Sequence, residues 1–129
     1  MMNDKMMPDA ALMAHGSHGG AMGAMPAGKK NELRLVFWEL TARCNLKCIH
    51  CRAEAQEEKQ ENELTTEQCF SVIDNLCSFS SPILILTGGE PLYRDDIFEI
   101  ASYASRKGLR VALATNGTMI DKETAKKIK

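Results

Sequence analysis

The fold of this chain is constrained most strongly by a repeated order of strand-like and helix-like segments. Three short apolar runs occupy 33–40, 83–87 and 110–115 and read LRLVFWEL, ILILT and RVALAT. Apolar runs of this length are typical of strands, and a continuous run such as ILILT is typical of a strand covered on both faces. Helical periodicity precedes or follows each of the later runs. The resulting order of strand, helix, strand, helix, strand, helix predicts an α/β fold with a parallel sheet and right-handed crossovers.

Three helices are predicted from their caps and from apolar spacing. Thr65 and Gln68 match a capping box, and Ser80-Ser81-Pro82 ends the helix that they begin. The apolar positions of this first helix share one face: Cys69, Val72, Ile73, Leu76 and Cys77. A second helix is expected to begin near Asp95, to end before Gly108, and to bury Ile97, Ile100, Ala101 and Ala104. Asp121 is the expected N-cap of a third helix.

Polar or metal-binding segments follow the carboxyl end of each predicted strand. A cysteine-containing loop follows the first strand, the residues 88–91 (GGEP) follow the second, and the residues 115–117 (TNG) close the third. The carboxyl ends of parallel strands meet at one edge of a sheet, where α/β proteins bind their ligands. The three segments are therefore expected to form one site.

The cysteine loop places Cys44, Cys48 and Cys51 within eight residues. Soft thiolate ligands suit an iron–sulfur cluster or zinc. Four cysteines would complete the ligands of a [4Fe-4S] cluster, whereas three leave one iron open to a substrate. The alternative is a zinc site with His50 as the fourth ligand, which fits poorly because structural zinc sites pair their ligands in two separated groups. Cys69 and Cys77, on the apolar face of the first helix, are expected to be core residues.

The loop continues into an acidic segment, residues 53–63 (AEAQEEKQENE), for which we expect a solvated and partly helical structure. Residues 1–30 differ from the rest of the chain, since they hold seven of the eight methionines. We expect a disordered Met/Gly/His-rich tail there, and a single domain over 31–129. His15 and His18 would suit a soft metal, although a solvated tail explains them better.

Composition excludes several classes of function. The net charge is −1 and aromatic residues make up only 5%, which argues against a nucleic-acid partner and against an anionic membrane. No apolar run reaches the roughly 20 residues of a membrane-spanning helix. We therefore expect a cytoplasmic protein whose five cysteines are thiols rather than disulfides.

The chain contains the motif C-x₃-C-x₂-C, then GGEP, and then TNG after the next strand. This combination of motifs resembles the radical S-adenosylmethionine (SAM) superfamily. The resemblance covers residues 33–129. It implies a partial barrel of six strand–helix units, of which this chain would supply the N-terminal half. It further implies that Cys44, Cys48 and Cys51 ligate three irons of a [4Fe-4S] cluster, while the fourth iron binds SAM.

The same resemblance implies five cofactor-binding residues and leaves the catalytic residues unassigned. His50 immediately precedes the last cysteine, and the resemblance implies that the residue at this position lies near the adenine of SAM. Gly88, Gly89 and Glu90 match the motif that receives the amino group of SAM, with Glu90 as an acceptor for the ammonium. Asn116 has a weaker, supporting role in the pocket. The implied reaction is reductive cleavage of SAM to methionine and a 5′-deoxyadenosyl radical, which removes a hydrogen from the substrate.

The sequence around the motifs is most similar to the branch of the superfamily that modifies tetrapyrroles. This branch includes the didecarboxysiroheme deacetylase and the haem d1 biosynthesis proteins. That similarity implies removal of side chains from a haem precursor, and an electron donor such as flavodoxin or ferredoxin. The alternatives are a maturase that modifies peptides or sulfatases and, outside enzymes, an iron–sulfur electron carrier. Because only three strand–helix units fit, we expect the chain to be a fragment or truncated product that is inactive alone.

Overall fold

The computed structural model describes residues 33–129, which form a three-stranded sheet with helices. The elements in chain order are β1 (Leu35–Glu39), α1 (Thr66–Phe79), β2 (Ile83–Thr87), a 3₁₀ turn (Pro91–Tyr93), α2 (Ile97–Arg106), β3 (Arg110–Leu113) and α3 (Lys122–Ile128). The predicted α/β class and the predicted order of elements are confirmed. Strand β2 has the bounds of the apolar run that predicted it, whereas β1 and β3 are shorter than the runs at 33–40 and 110–115.

All strand pairs are parallel, and the spatial order is β1-β2-β3. Leu35 lies opposite Ile83, and Ile83 lies opposite Arg110, so the three strands begin at one level. Their carboxyl ends consequently meet at one edge of the sheet, as predicted. Each crossover includes a helix, and a parallel pair needs such a connection to return to the same end of the sheet.

The helices begin where their caps predict. The side chain of Thr65 accepts a hydrogen bond from the backbone N–H of Gln68, and the Gln68 side chain accepts one from the N–H of Thr65. Asp121 accepts a hydrogen bond from the N–H of Thr124 at 2.7 Å and so caps α3. These bonds satisfy backbone donors that the first turn of a helix leaves without partners.

The core lies between one face of the sheet and helices α1 and α2. Leu84 and Leu86 of β2 are fully buried there, against Ile73 of α1 and Ile100 of α2. On the opposite face the side chains are half-buried or open, and Phe37 of β1 is 66% exposed. The expectation that β2 is covered on both faces is therefore wrong for residues 33–129, since only one layer of helices packs on this part of the sheet.

Two further expectations need correction. The apolar spacing of α1 predicts that Val72 is buried, but Val72 is exposed, because the helix meets the core along the narrower stripe of Cys69, Ile73 and Leu76. The acidic segment, residues 53–63, contains turns and a single bridge residue but no helix. Its repeated Glu side chains lack an apolar stripe that would fix a helix against the core.

The predicted disordered tail, including His15 and His18, lies outside the described residues, so the division into a tail and a domain from residue 31 stays a prediction. Within residues 33–129, the helices are too short and too polar for any of them to cross a bilayer.

Candidate functional site

The segment that leads into the cysteine loop is held on both sides by backbone hydrogen bonds. On one side, the backbone N–H of Gly89 donates to the backbone carbonyl of Thr41 at 2.7 Å. The backbone N–H of Glu90 donates to the backbone carbonyl of Arg43 at 2.8 Å. On the other side, Gln56 returns to pair with the same segment, and its carbonyl accepts the N–H of Cys44 at 2.8 Å. Cys44 therefore projects from a fixed stretch of backbone at the carboxyl edge of the sheet.

The two glycines of the GGEP turn are required by this packing. A Cβ at Gly88 would clash with the carbonyl oxygen of Thr41, and Gly88 also has a φ of +138°, which side chains rarely adopt. A Cβ at Gly89 would lie 2.5 Å from the carbonyl oxygen of Arg43. The close approach that glycine permits is thus an approach to the backbone before Cys44.

The cysteine loop has a half-buried start and an exposed tip. Cys44 is half-buried, whereas Cys48 and Cys51 are exposed. The N–H of Cys51 donates to the carbonyl of Cys48 at 3.1 Å, which closes a turn around Ile49 and His50. Both residues of that turn are exposed, so His50 is accessible at the rim of the site. Three accessible thiols within one loop fit the donor set of an iron–sulfur cluster with one open iron.

Side chains in residues 33–129 do not gather around a single-ion site, since no three of His, Cys, Asp or Glu lie close enough together to hold one metal ion. Two thiolates on one zinc ion lie about 3.8 Å apart, given Zn–S bonds of about 2.3 Å in a tetrahedron. The thiolates of a cluster bind different irons and stand farther apart. The ligand set of the loop therefore stays a prediction.

The TNG turn after β3 contacts the cysteine loop directly. The Asn116 side-chain amide donates to the Asn45 side-chain carbonyl at 3.0 Å and to Cys44 Sγ at 3.7 Å. The Asn45 amide in turn donates to the hydroxyl of Thr118 at 2.8 Å. The predicted convergence of strand ends is therefore observed between the first and third segments, although they lie about seventy residues apart in sequence.

Glu90 connects the GGEP turn with the TNG turn from a fully buried position. Its Oε1 accepts hydrogen bonds from the N–H of Leu92 at 3.0 Å and from the hydroxyl of Thr115 at 2.8 Å. Its Oε2 accepts the backbone N–H of Asn116 at 2.7 Å. The carboxylate thus binds three protein donors and fixes the position of the TNG turn.

A buried arginine closes the far end of the cysteine loop. The Arg94 guanidinium donates to the carbonyls of Leu40 and Leu64 at 3.2 and 3.1 Å, and it forms a bidentate pair with Asp96 at 2.9 and 2.7 Å. Glu63, almost fully buried, lies 3.8 Å from the same guanidinium. Arg94 therefore joins the end of β1, the end of the acidic segment and the start of α2.

The ion pair changes the protonation equilibria of its members. Burial alone raises the pKa of Asp96, but the hydrogen bonds from Arg94 and Thr66 outweigh it and hold the pKa below its usual value. In α1, burial raises the pKa of the Cys69 thiol. A buried thiol with a raised pKa is a poor metal ligand, which agrees with the prediction that Cys69 belongs to the core.

Sequence reasoning missed the residues that hold the site together. Arg94 and Glu63 carry no signal in the sequence, since a loop arginine and a glutamate in an acidic run both resemble solvated surface residues. Asn45 and Thr118 were missed as well, although their position beside Cys44 and Asn116 at two strand ends would have indicated a contact.

The family model described as the Radical SAM superfamily matches residues 38–129, which is more than two thirds of the chain. This chain belongs to the radical SAM superfamily. The motifs that carried the resemblance are all inside the matched range. The cofactors of this superfamily are the [4Fe-4S] cluster and SAM, as the sequence analysis expected.

Two radical SAM relatives come from Methanosarcina barkeri (strain Fusaro / DSM 804). The chain is 51% identical to "Fe-coproporphyrin III synthase" over 78% of its own length and 25% of that protein, and 52% identical to "AdoMet-dependent heme synthase" over 77% of its length and 28% of that protein. These names confirm the resemblance to the tetrapyrrole-modifying branch. The chain spans about a quarter of the length of the curated relatives it matches.

Among solved structures, anSMEcpe with bound AdoMet superimposes on the chain with a TM-score of 0.57 at 28% identity, and the match covers 74% of this chain and 28% of that one. The match confirms that the sheet and helices are arranged as in part of a radical SAM enzyme.

Proposed function

We propose that this chain forms the cluster-binding and SAM-binding part of a radical SAM enzyme that acts on an iron-containing tetrapyrrole precursor of haem. The observation that carries the proposal is the three-cysteine loop, which backbone and side-chain hydrogen bonds join to the GGEP and TNG turns at one sheet edge. The tetrapyrrole substrate is supported by the names of the two relatives at 51% and 52% identity. Since the match covers about a quarter of those proteins, the complete reaction is part of the proposal.

Cys44, Cys48 and Cys51 are the proposed cluster ligands. Their accessible thiols occupy one short loop, and no other cysteine in the chain lies in that loop. Cys69 is fully buried and Cys77 packs against the core, so neither competes for iron. When bound, the cluster and SAM supply a one-electron cleavage that generates methionine and a carbon radical able to abstract a substrate hydrogen.

The proposed cofactor-binding residues divide into an exposed and a buried group. His50 and Asn116 are exposed at the edge and are available to a ligand beside the cluster. Gly88 and Gly89 shape the turn against which that ligand would lie. Glu90 is fully buried and already accepts three protein donors. We therefore assign it a position behind the pocket, where it holds the TNG turn, and we propose that a backbone carbonyl of the GGEP turn receives the ammonium of SAM.

The proposed electron donor is a reduced flavodoxin or ferredoxin of the cytoplasm. The exposed turn between Cys48 and Cys51 supports this, because Ile49 is 99% exposed and a docking protein would approach the cluster most closely there. Such a donor would supply one electron for each SAM cleaved, and the hydrogen taken from the substrate would remain in the 5′-deoxyadenosine product.

The test is anaerobic reconstitution with iron and sulfide, followed by electron paramagnetic resonance (EPR) of the reduced cluster with and without SAM. About four irons per chain and a SAM-dependent change of the spectrum are expected, because an open iron binds SAM directly. A cluster whose spectrum ignores SAM would contradict the proposal and favour the electron carrier.

Matched cysteine variants test the ligand set. Cys48→Ala is expected to abolish cluster retention, whereas Cys69→Ala is expected to leave the iron content nearly unchanged, since Cys69 lies in the core. Equal loss in both variants would show that the ligand set is wrong. The substrate is tested by production of 5′-deoxyadenosine with an iron-coproporphyrin or siroheme-derived substrate, and with a peptide substrate as the competing alternative.

A further inference from the structure

We propose that the side chain of Asn116 raises the reduction potential of the cluster by donating an N–H hydrogen bond to the sulfur of Cys44. The inference rests on the proposed function, because it requires Cys44 to be a cluster ligand. Its starting point is the contact of 3.7 Å between Asn116 Nδ2 and Cys44 Sγ, a usual length for a hydrogen bond to sulfur. Hydrogen bonds to cluster sulfurs are among the factors that set cluster potentials.

The orientation of the Asn116 amide is fixed by its other partners. Its Oδ1 accepts two hydrogen bonds from Thr118, one from the backbone N–H at 2.9 Å and one from the hydroxyl at 2.7 Å. The Nδ2 group therefore faces the cysteine loop, where its two hydrogens reach Asn45 Oδ1 and Cys44 Sγ. Rotation of the amide by 180° would place its oxygen against the Asn45 oxygen and its nitrogen against the Thr118 N–H, and both contacts would be repulsive.

Asn45 completes a closed cycle of hydrogen bonds. Its side-chain oxygen accepts from Asn116, and its side-chain nitrogen donates to the hydroxyl of Thr118 at 2.8 Å. The Thr118 hydroxyl in turn donates to Asn116, so each of the three side chains is both a donor and an acceptor. The cycle by itself could run in either direction, but the backbone N–H of Thr118 requires an acceptor and so fixes Oδ1 of Asn116 on its side. In the direction that this selects, an N–H of Asn116 points at the Cys44 sulfur.

The three cysteines differ in their surroundings. Cys44 is half-buried and accepts a second hydrogen bond from the backbone N–H of Leu46 at 3.4 Å. For Cys48 and Cys51, which are exposed, the described part of the chain offers no such donor to the sulfur. The protein therefore stabilises negative charge at one of the three ligands. Reduction adds negative charge to the cluster, so a donor at Cys44 favours the reduced form and raises the potential.

The test is the midpoint potential of the reconstituted cluster in Asn116→Leu, measured without SAM so that a direct contact between Asn116 and SAM does not contribute. Leucine keeps the branched shape, removes the donor and adds no charge. At a fixed applied potential, the ratio of reduced to oxidised cluster should fall about threefold to tenfold, and tenfold corresponds to about 59 mV for one electron. Asn75→Leu, on the exposed side of α1, is the matched control and should leave the potential unchanged.

Thr118→Val provides a second variant, since it removes the hydroxyl of the cycle but leaves Asn116 in place. It should shift the potential in the same direction by a smaller amount, and it decides the matter if Asn116→Leu does not retain a cluster. A potential equal to wild type, or above it, in a variant that keeps its four irons would overturn the inference and leave the proposed function intact. A wild-type protein without a cluster would overturn both.

Discussion

Replacing Glu90 with glutamine tests whether the buried carboxylate connects the two turns of the site. The carboxylate is fully buried, and each of its oxygens accepts at least one hydrogen bond. Glutamine has the same shape but only one oxygen. If that oxygen stays with Leu92 and Thr115, the new NH₂ group faces the backbone N–H of Asn116, and two donors meet.

The expected loss of stability follows from this mismatch. Hydrogen bonds to a charged group contribute about 1.5–3 kcal/mol, and a buried donor left without a partner costs about 1–3 kcal/mol. Removing a buried charge offsets part of this cost, because a neutral amide is easier to bury than a carboxylate. We therefore expect Glu90→Gln to lower the free energy of unfolding by about 2 kcal/mol.

The measurement is urea unfolding of Glu90→Gln beside Glu99→Gln, which makes the same change on the exposed face of α2. Glu99→Gln should change the free energy of unfolding by less than about 0.5 kcal/mol, as usual for a surface substitution. Equal stabilities of the two variants would refute the reasoning, since the buried carboxylate would then contribute no more than an exposed one.

Three further variants test the supports of the site. Arg94→Met should destabilise the fold by about 3–5 kcal/mol, because it leaves buried carboxylates without a partner. Arg106→Met, at an exposed position, should not destabilise the fold by this amount. Urea unfolding of the two variants gives the comparison. Because the pKa of Asp96 is lowered in the folded state, its stabilising effect should be complete above about pH 5 and fade as the pH falls through the folded pKa. Unfolding free energies measured from pH 5 downward should therefore fall less steeply in Asp96→Asn. Gly89→Ala should cost about 1–3 kcal/mol through overpacking and lower the iron content on reconstitution. Gly108→Ala, whose Cβ would meet no atom within 4 Å, should destabilise the fold only through backbone strain at a φ of +91° and should keep the iron content.

The elements of the fold were predictable because their signals are local. The Thr65 capping box, the Asp121 cap and the apolar run at 83–87 each depend on residues close in sequence, and the structure places all three as predicted. The convergence of the cysteine, GGEP and TNG segments was predictable too, since parallel topology alone brings strand ends together.

The contacts that fix the site were not predictable, because they join residues far apart in sequence. Glu63 lies in a run of charged residues and reads as solvated, but its side chain is almost fully buried beside Arg94. Val72 has the spacing of a core residue but is exposed, since the width of the buried stripe depends on how α1 sits on the sheet. In each case burial is decided by tertiary packing, which the local pattern does not contain.

The arrangement of the cysteine loop separates a rigid base from an accessible tip. The hydrogen bond between Thr41 and Glu63 closes a long loop that contains the cysteines. Within it, Gln56 pairs with Arg43, and the loop that this pairing closes is roughly half as long. Loop-closure entropy grows only as about (3/2)RT ln n, so this shortening saves no more than about 0.5–0.6 kcal/mol. That gain is small beside the several hydrogen bonds that anchor the base. The pairing therefore matters chiefly because it fixes the backbone at Cys44, the cysteine to which Asn116 donates, while Cys48 and Cys51 remain free to adjust to a bound cluster.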